Sequence, residues 1–407
     1  MALNLTNFAP ILKTLYKPSK VQNLVYKSNP LFASLPKQTD FFGDSRKVPL
    51  IYGNPQGRSA TFATAQGNKG NTASIAFNIT RNKDYQILGI DGETLKASSN
   101  DAGAFLAARK TEIDGGFKNI TNAIDVDLFG NGSGVRGRLA AAQNVALSVV
   151  TLSEVSDIVK FEVGMQLQAS TANGGGSVKA GSMFIISIDR TAGTFVVSST
   201  AGGAATAIST CIATAAASDY IFAAGDYDQK IKGLQAWLPY GGPSATAFFG
   251  VDRTVDSQRL GGVTADLSAL PIEEALIEAG AQMGRVGAQV DRVWMSIGKM
   301  ADLIKSLGSK VQYVDAEFGS VGFKGVRVHL DDSVVEVYSE RNCPKDSMFL
   351  LQSDTWLLHS LGEAPGILNL DTLEALREPT SDGIEIRIGY YAQLACNAPG
   401  WNGHFKI

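Results

Sequence analysis

Charge is what this chain has least of. Lys, Arg, Asp and Glu make up 18% of its 407 residues, against roughly 25% in an average soluble domain. The net charge of −3 excludes a strongly basic nucleic-acid binder. Cysteine is scarce too. Cys211, Cys343 and Cys396 are odd in number and widely spaced, with no CxxC, so they read as buried or incidental thiols in a reducing compartment rather than a disulfide framework. Long apolar runs are missing: none approaches about 18 residues, so nothing in the sequence spans a membrane. The opening stretch MALNLTNFAPILK has no basic n-region, and Pro10 and Lys13 interrupt its short apolar run, so it is not a signal peptide. The Asn-x-Thr triplets at Asn4, Asn78 and Asn119 are then incidental.

Catalytic vocabulary is equally thin. The three histidines, His329, His359 and His404, are scattered, with no HExxH spacing. No GxxxxGK[ST] phosphate cradle is present. Gly132-Ser133-Gly134-Val135-Arg136-Gly137 has the letters of GxGxxG. A dinucleotide site needs a strand before that motif and a helix after it. Here a helical pattern precedes and a loop pattern follows, which makes the segment a flexible link. His329 with Asp331 and Asp332 reads as a strand end entering a polar turn rather than as metal ligands. Glu273-Glu274 falls in a helix's first turn, where the dipole favours acids. Asp125 and Asp127, two apart on a helix, point to different faces. Trp294 and Trp356 lie in apolar strands and read as core. Trp237 and Trp401, beside Pro239 and Pro399-Gly400, stand at a core or an interface. No catalytic set, cofactor or metal site is expected.

What the chain has is small residues and periodicity. Apolar content is 44% and Gly numbers 43, enough for two to four units with a sizeable core. Low charge with abundant Gly, Ala, Ser and Thr suggests surfaces covered by other copies. One stretch, from Leu95 to Gly130, organises the rest. Leu106, Ile113, Phe117, Ile120, Ile124 and Leu128 follow at spacings of seven, four, three, four and four, one apolar stripe on a helix of roughly eight or nine turns. Ser98, Ser99 or Asn100 can cap its start, and Gly130 with Asn131-Gly132 can end it. Gly115-Gly116 at its middle should weaken or bend it, unless another chain needs close approach there.

Charge is unevenly spread. Residues 1–90 carry eleven Lys and Arg against three acids, a balance of +8 that leaves −11 for the other 317 residues. A basic extended arm and an acidic body can attract each other between copies. Tyr16, Tyr26, Phe41, Phe42 and Tyr52 lie among those basic residues, yet with no regular spacing for a base-stacking platform. Chain-to-chain docking is the preferred reading, through Lys13, Lys17, Lys20, Arg46, Lys47, Arg58 and Lys69.

Along the chain, residues 1–40 are punctuated by Pro10, Pro18, Pro30 and Pro36 and read as an arm. Residues 41–94 turn to β pattern. RKVPLIYG with SATFATA forms one run, SIAFNIT with DYQILGI the returning one, and AQGNKGNT the tip of a long hairpin. A two-stranded ribbon has too little core to stand alone and must rest on another surface. Residues 95–138 hold the long helix. From 139 to 222 the composition shifts to Ala, Ser, Thr and Gly with short strands, a small all-β barrel or sandwich. The main body resumes at 223–243. Residues 244–366 read as α/β, with a helix led by Pro271, a strand at DRVWMSI, a helix stopped by Gly308, and strands at GVRVHL, VVEVYS, SMFLLQ and TWLLHS. In 367–407, Ile384, Ile386, Ile388, Tyr390, Ala392, Leu394 and Cys396 alternate strictly, and one side of that strand should face the long helix.

This order of elements resembles the major capsid protein of tailed bacteriophages, a fold shared with the herpesvirus capsid floor and bacterial encapsulating shells. VPLIYGNPQGRSATFATA (48–65), LAARKTEIDGGFKNITNAIDVDLFGNGSG (106–134), IKGLQAWLP (231–239) and YYAQLACNAPGWNG (390–403) are similar to that family's hairpin loop, spine helix, re-entry strand and closing strand. The resemblance covers most of the chain and rests on element order more than on fixed residues. It implies an α+β fold with an N-terminal arm, a long hairpin, a spine helix, peripheral and axial domains, and an inserted small β domain. Residues 244–366 would form the axial domain, and the remainder outside the insertion the peripheral one. It further implies a non-enzymatic subunit of pentamers and hexamers in an icosahedral shell around double-stranded DNA. Its partners would be a portal and a scaffold or cementing protein, with assembly in the host cytoplasm and no membrane. Gly115 and Gly116 would let the spine bend between the two capsomer types. Lys69 at the hairpin tip would be a possible cross-link donor, though nothing marks it as reactive. The alternatives are an encapsulin-like shell around a cargo enzyme and, behind it, an α/β enzyme.

Overall fold

A computed structural model of the chain describes residues 29–93, 102–307, 313–318, 321–330, 333–368, 376–377 and 382–407. Ser98, Ser99 and Asn100 lie outside the described residues, as does the side chain of Leu106. The spine helix spans Ala102–Phe129 and is unbroken through Gly115-Gly116. Ile120, Ile124 and Leu128 are buried as the stripe requires, and Phe117 packs partly against the same core. From Asn122 to Phe129 every residue is buried. The last two turns are therefore a core helix, and Gly130, whose amide donates to the Asp127 carbonyl at 3.0 Å, turns the chain out.

Ahead of the spine, β1 (Lys37–Gln38) leads into β2 (Ser45–Gly53), which pairs antiparallel with β3 (Ala73–Thr80). This hairpin is shorter than expected. SATFATA is no strand: Phe62–Gly67 forms a short helix at the tip, where Ala and Gln favour helix and no partner strand offers hydrogen bonds. DYQILGI also leaves the hairpin. It lies in β4 (Asn82–Asp91), which joins the peripheral sheet and turns Leu88 and Ile90 inward.

After the spine come β5 (Val135–Arg138), β6 (Val149–Thr151), β7 (Gln166–Ser170), β8 (Met183–Asp189), β9 (Thr194–Ser198) and β10 (Tyr220–Ala223), in the order β5-β10-β7-β8-β9-β6. The two ends of this sheet meet. Leu139 bridges Leu152, the Ala140 amide donates to the Thr151 carbonyl at 2.9 Å, and the Ser153 amide to the Arg138 carbonyl at 2.8 Å. The insertion is thus a closed antiparallel barrel without free edges. Its core includes Leu139, Phe161, Leu167, Met183, Phe195 and Ile221, with the Phe161 and Phe195 rings 5.1 Å apart. The GxGxxG letters run from the spine into β5, so a strand, not a loop, follows Gly134. Gly132 and Gly134 have φ of +90° and +80°, the left-handed conformation that makes this tight turn.

The axial part comprises β11 (Val263–Asp266), β12 (Arg292–Ser296), β13 (Tyr313–Phe318), β14 (Val321–Leu330), β15 (Ser333–Glu340) and β16 (Ser347–Leu351), with helices Ile272–Arg285 and Ile297–Leu307. One face of this sheet (Val293, Met295, Val337, Met348, Leu350) packs on those helices; the other (Trp294, Tyr338, Phe349, Leu351) joins the peripheral core. Burial on both faces explains the near-continuous apolar runs of RVWMS and SMFLL.

Two strands cross the expected boundary at 366. TWLLHS is β17 (Trp356–Ser360), and it pairs with the peripheral sheet, not with the axial strands it follows. That sheet also holds β18 (Gly366–Ile367), β19 (Leu376–Arg377) and β20 (Gly383–Cys396). Conversely β21 (Gly403–Lys406), expected with the peripheral part, lies between β11 and β16 in the axial sheet. The 14 residues of β20 bond β4 along Gly383–Ala392 and β17 along Ala392–Cys396. It faces the spine helix as its alternation required. IKGLQAWLP is not a re-entry strand. Leu234–Trp237 is a single helical turn that buries Trp237 completely, with its indole N–H donating to the Leu394 carbonyl at 3.1 Å.

Candidate assembly surface and its buried support

The hairpin has two dissimilar halves. At its root Val48, Phe77 and Ile79 are buried, and the Phe77 ring meets Trp237 edge-on at 5.1 Å. The Asn78 amide donates to the Phe249 carbonyl at 2.9 Å. Beyond Leu50 the ribbon loses its support. Ile51 is 65% exposed, the tip helix buries none of its residues, and Phe62 is 83% exposed. Between this outer half and the body lies a groove of about 1010 Å³, walled by Ile51, Tyr52, Arg259, Arg285 and Trp401. Arg259 Nη1 donates across it to the Tyr52 carbonyl at 2.5 Å. Trp401 is 47% exposed, so the alternatives for the two proline-flanked tryptophans separate: Trp237 is core, Trp401 a groove wall.

The basic residues expected to dock on neighbours divide likewise. Lys13, Lys17 and Lys20 lie outside the described residues. Arg46 is engaged within its own chain, 2.5 Å from Asp40 Oδ2, whose other oxygen is 2.9 Å from His359 Nδ1. Lys47, Arg58 and Lys69 are exposed and pair with no acid among the described residues.

Gly115 and Gly116 differ too. A Cβ on Gly115 would meet nothing within 4 Å, whereas one on Gly116 would stand 2.8 Å from Leu88 Cδ1 and 3.0 Å from Ile388 Cδ1. Gly116 is where the spine helix approaches β4 and β20, so the close approach is made by strands of its own chain rather than by another chain.

Two buried ionic clusters support this surface. Asp125 Oδ1 accepts from the Phe32 amide at 3.3 Å and Oδ2 from Asn342 Nδ2 at 2.7 Å. The Glu340 carboxylate accepts from the Arg341 amide at 2.9 Å, and Arg341 Nη2 reaches Asn122 at 2.6 Å and Asn29 at 3.0 Å. Burial raises the pKa of both Asp125 and Glu340, and for Glu340 the neighbouring Asp125 charge adds to it. This cluster pins residues 29–35, whose Leu31, Phe32 and Leu35 enter the main core. On the opposite side of the spine, buried Lys230 lies 2.5 Å from Asp84 and 3.1 Å from Asp226, and Arg136 is 3.5 Å from Asp226. Burial lifts Asp127 beside them to about 7, against the pull of Lys230 and Arg136. Asp125 and Asp127 do point to different faces, each into its own cluster. Sequence reading missed their role. The signal was two carboxylates in the otherwise apolar AIDVDLF, where a helix with one wet face would carry an apolar residue at one of them.

The remaining candidates are structural. His404 stacks on Phe349 at 4.3 Å with Nδ1 2.9 Å from the Leu238 carbonyl, and burial lowers its pKa to about 4. The three cysteines are free and buried. Glu273 and Glu274 open the helix Ile272–Arg285. Trp294 and Trp356 are buried. The His329 side chain, Asp331 and Asp332 lie outside the described residues. Among the described residues no three His, Cys, Asp or Glu are grouped to hold a metal ion, and no helix is long and apolar enough to cross a membrane.

No protein-family model and no curated protein matches the sequence. Solved structures do match along nearly its whole length. A chain of the cyanophage A-1(L) capsid asymmetric unit aligns with a TM-score of 0.53 at 12% identity, over 98% of this chain and 97% of that one. The capsid of the native GTA particle aligns with a TM-score of 0.50 at 9% identity, over 100% and 99%. The encapsulin of the holo-SrpI complex from Synechococcus elongatus aligns with a TM-score of 0.48 at 8% identity, over 100% and 96%. The fold is therefore the α+β fold of tailed-phage capsid subunits, with a barrel inserted after the spine helix.

Proposed function

We propose that this chain is a major capsid protein, assembling into the pentamers and hexamers of an icosahedral shell around phage double-stranded DNA. The carrying observation is the capsid-subunit fold over the full chain, joined to a hairpin whose outer half has no cover in its own chain. Exposed Ile51, Phe62 and Trp401 would be covered by a neighbouring copy. Lys47, Arg58 and Lys69 would meet the acidic surface of that neighbour, consistent with the +8 and −11 balance. In this role the protein acts by packing and electrostatics and uses no catalytic group. A portal, and a scaffold or cementing protein, would complete the particle, and the virion would be its location.

Expression alone, followed by size-exclusion chromatography and negative-stain electron microscopy, tests the reading. Shells, tubes, pentamers or hexamers are expected, directly or on supplying the cognate scaffold. A 43.0 kDa monomer that forms no particle even with scaffold refutes it. Nuclease-protected DNA in native particles separates the phage capsid from a shell around a cargo enzyme.

A further inference from the structure

Both legs of the hairpin are gripped at one short segment, Asp40-Phe41. Arg46, at the start of β2, pairs with Asp40 Oδ2 at 2.5 Å. Arg81, between β3 and β4, donates from Nη1 to the Phe41 carbonyl at 2.6 Å and lays its guanidinium over the Phe41 ring at 5.1 Å. The segment is in turn fastened to β17. The Phe41 amide donates to the Ser360 carbonyl at 3.1 Å, and Asp40 Oδ1 lies 2.9 Å from His359 Nδ1. His359 is 1% exposed, whereas the side chains of Asp40 and Arg46 are 41% and 34% exposed. On the adjoining strands His359 stands opposite Gln38 of β1 and Gln393 of β20, both neutral. Among the described residues, the charges that act on it are those of Asp40 and Arg46. With a neutral imidazole the junction holds one carboxylate between two arginines. An imidazolium would add a third cation, out of reach of solvent and with no second carboxylate to answer it.

We propose that His359 is an acid-sensitive latch on the base of the hairpin. Neutral, it steadies Asp40 for Arg46; protonated, it takes Asp40 for itself and lets the Arg46 leg go. Exposure decides which partner yields. His359 is enclosed by the sheet, whereas Arg46 can return to water by turning its side chain. Burial holds the His359 pKa below its ordinary value; the Asp40 bond opposes this and the Arg46 charge adds to it. A lowered folded pKa gives stability that is present above the unfolded value, about 6.5, and lost as pH falls below it. The latch therefore holds at neutrality and loosens in acid, whatever the chain assembles into. Its sign is opposite to that of Asp125, Asp127 and Glu340, whose pKa values burial raises, so only a local readout separates it from them.

Amide hydrogen exchange of the full chain, read by mass spectrometry at pH 7.5 and pH 5 with labelling times scaled to the intrinsic rates, tests this. Peptides covering residues 39–50 are expected to exchange about fivefold faster at pH 5, the scale of one partly exposed ion pair lost. Peptides of the barrel strands β8 and β9 should keep their rates. His359→Gln retains a side chain that can donate to Asp40 but cannot take up a charge, and should abolish the difference. Arg46→Met should show the faster rate at both pH values, because its leg is already free. Equal scaled rates at the two pH values in the unaltered chain overturn the proposal, as does a difference that survives His359→Gln. If His359→Gln does not fold, a difference that persists in Arg46→Met is decisive against it.

Discussion

The hairpin and the barrel are both antiparallel β excursions from one body, and they solve the same problem in opposite ways. The barrel closes on itself, buries its own core of Phe161, Phe195 and Ile221, and is moored by an ionic root around Arg136, Asp226 and Lys230. The hairpin stays open, is moored by an apolar root of Val48, Phe77 and Ile79, and leaves its far half bare. A strand pair without a third strand or a covering layer has too little buried surface to hold itself. The barrel is thus a finished unit that can be carried, whereas the hairpin is an unfinished one whose outer half its own chain leaves uncovered.

The sharpest test of that contrast is excision. A fragment of residues 134–225, which spans β5 to β10, should fold alone and melt cooperatively, while residues 44–81 should show no cooperative transition by circular dichroism. An unfolded barrel fragment would break the comparison. Single aromatic residues sharpen it next. Phe161→Ala should cost about 3–5 kcal/mol of barrel stability in denaturant unfolding. Phe62→Ala, at an 83% exposed position, should leave monomer stability within about 0.5 kcal/mol yet reduce the yield of shells.

Acidity separates the two roots by a smaller margin. Asp127 has a folded pKa raised to about 7, above the unfolded value near 4. Its favourable contribution is complete below about pH 4 and is lost as pH rises through about 7. Asp125 and Glu340, also raised by burial, act in the same direction. The melting temperature should therefore fall from pH 5 to pH 8. Asp127→Asn should flatten that slope, and Val48→Ala at the hairpin root should leave it unchanged. The smallest expected effect distinguishes two neighbours. Gly115→Ala, with open space around the new methyl, should stabilise by about 0.5–1 kcal/mol. Gly116→Ala must displace the ends of Leu88 and Ile388 and should gain less or lose. If spine bending is needed for both pentamers and hexamers, the double variant should fail to build closed shells, and normal shells would count against that role.

Much of the fold was legible in periodicity. The stripe Ile113 to Leu128 places the spine, the alternation Ile384 to Cys396 places β20, and the Gly- and Thr-rich shift after Leu139 marks the barrel. Strand partnership was not legible, because it depends on which distant edge is free. TWLLHS and GHFK carry no mark of the sheet each joins, so chain order misassigned both. SATFATA reads as strand by its Thr and Phe and becomes helix where no edge is available. The exposed basic residues Arg58 and Lys69 were visible as charges, whereas Arg46 was not distinguishable from them until Asp40 was seen beside it. The buried carboxylates were visible as letters but not as clusters, since Glu340, Asn342 and Lys230 come from remote segments.

The position of β21 sets a clock. Gly403–Lys406 lies inside the axial sheet, hydrogen-bonded on both sides, to β11 and to β16. Domains of a growing chain fold as their segments emerge from the ribosome, and the barrel can close as soon as β10 is out. The axial sheet cannot, because one of its inner strands is synthesised some fifty residues after β16. Nascent chains on one polysome would therefore carry finished barrels beside incomplete axial sheets. The axial sheet of each chain is thus completed only after translation has passed Lys406, well after its barrel can fold.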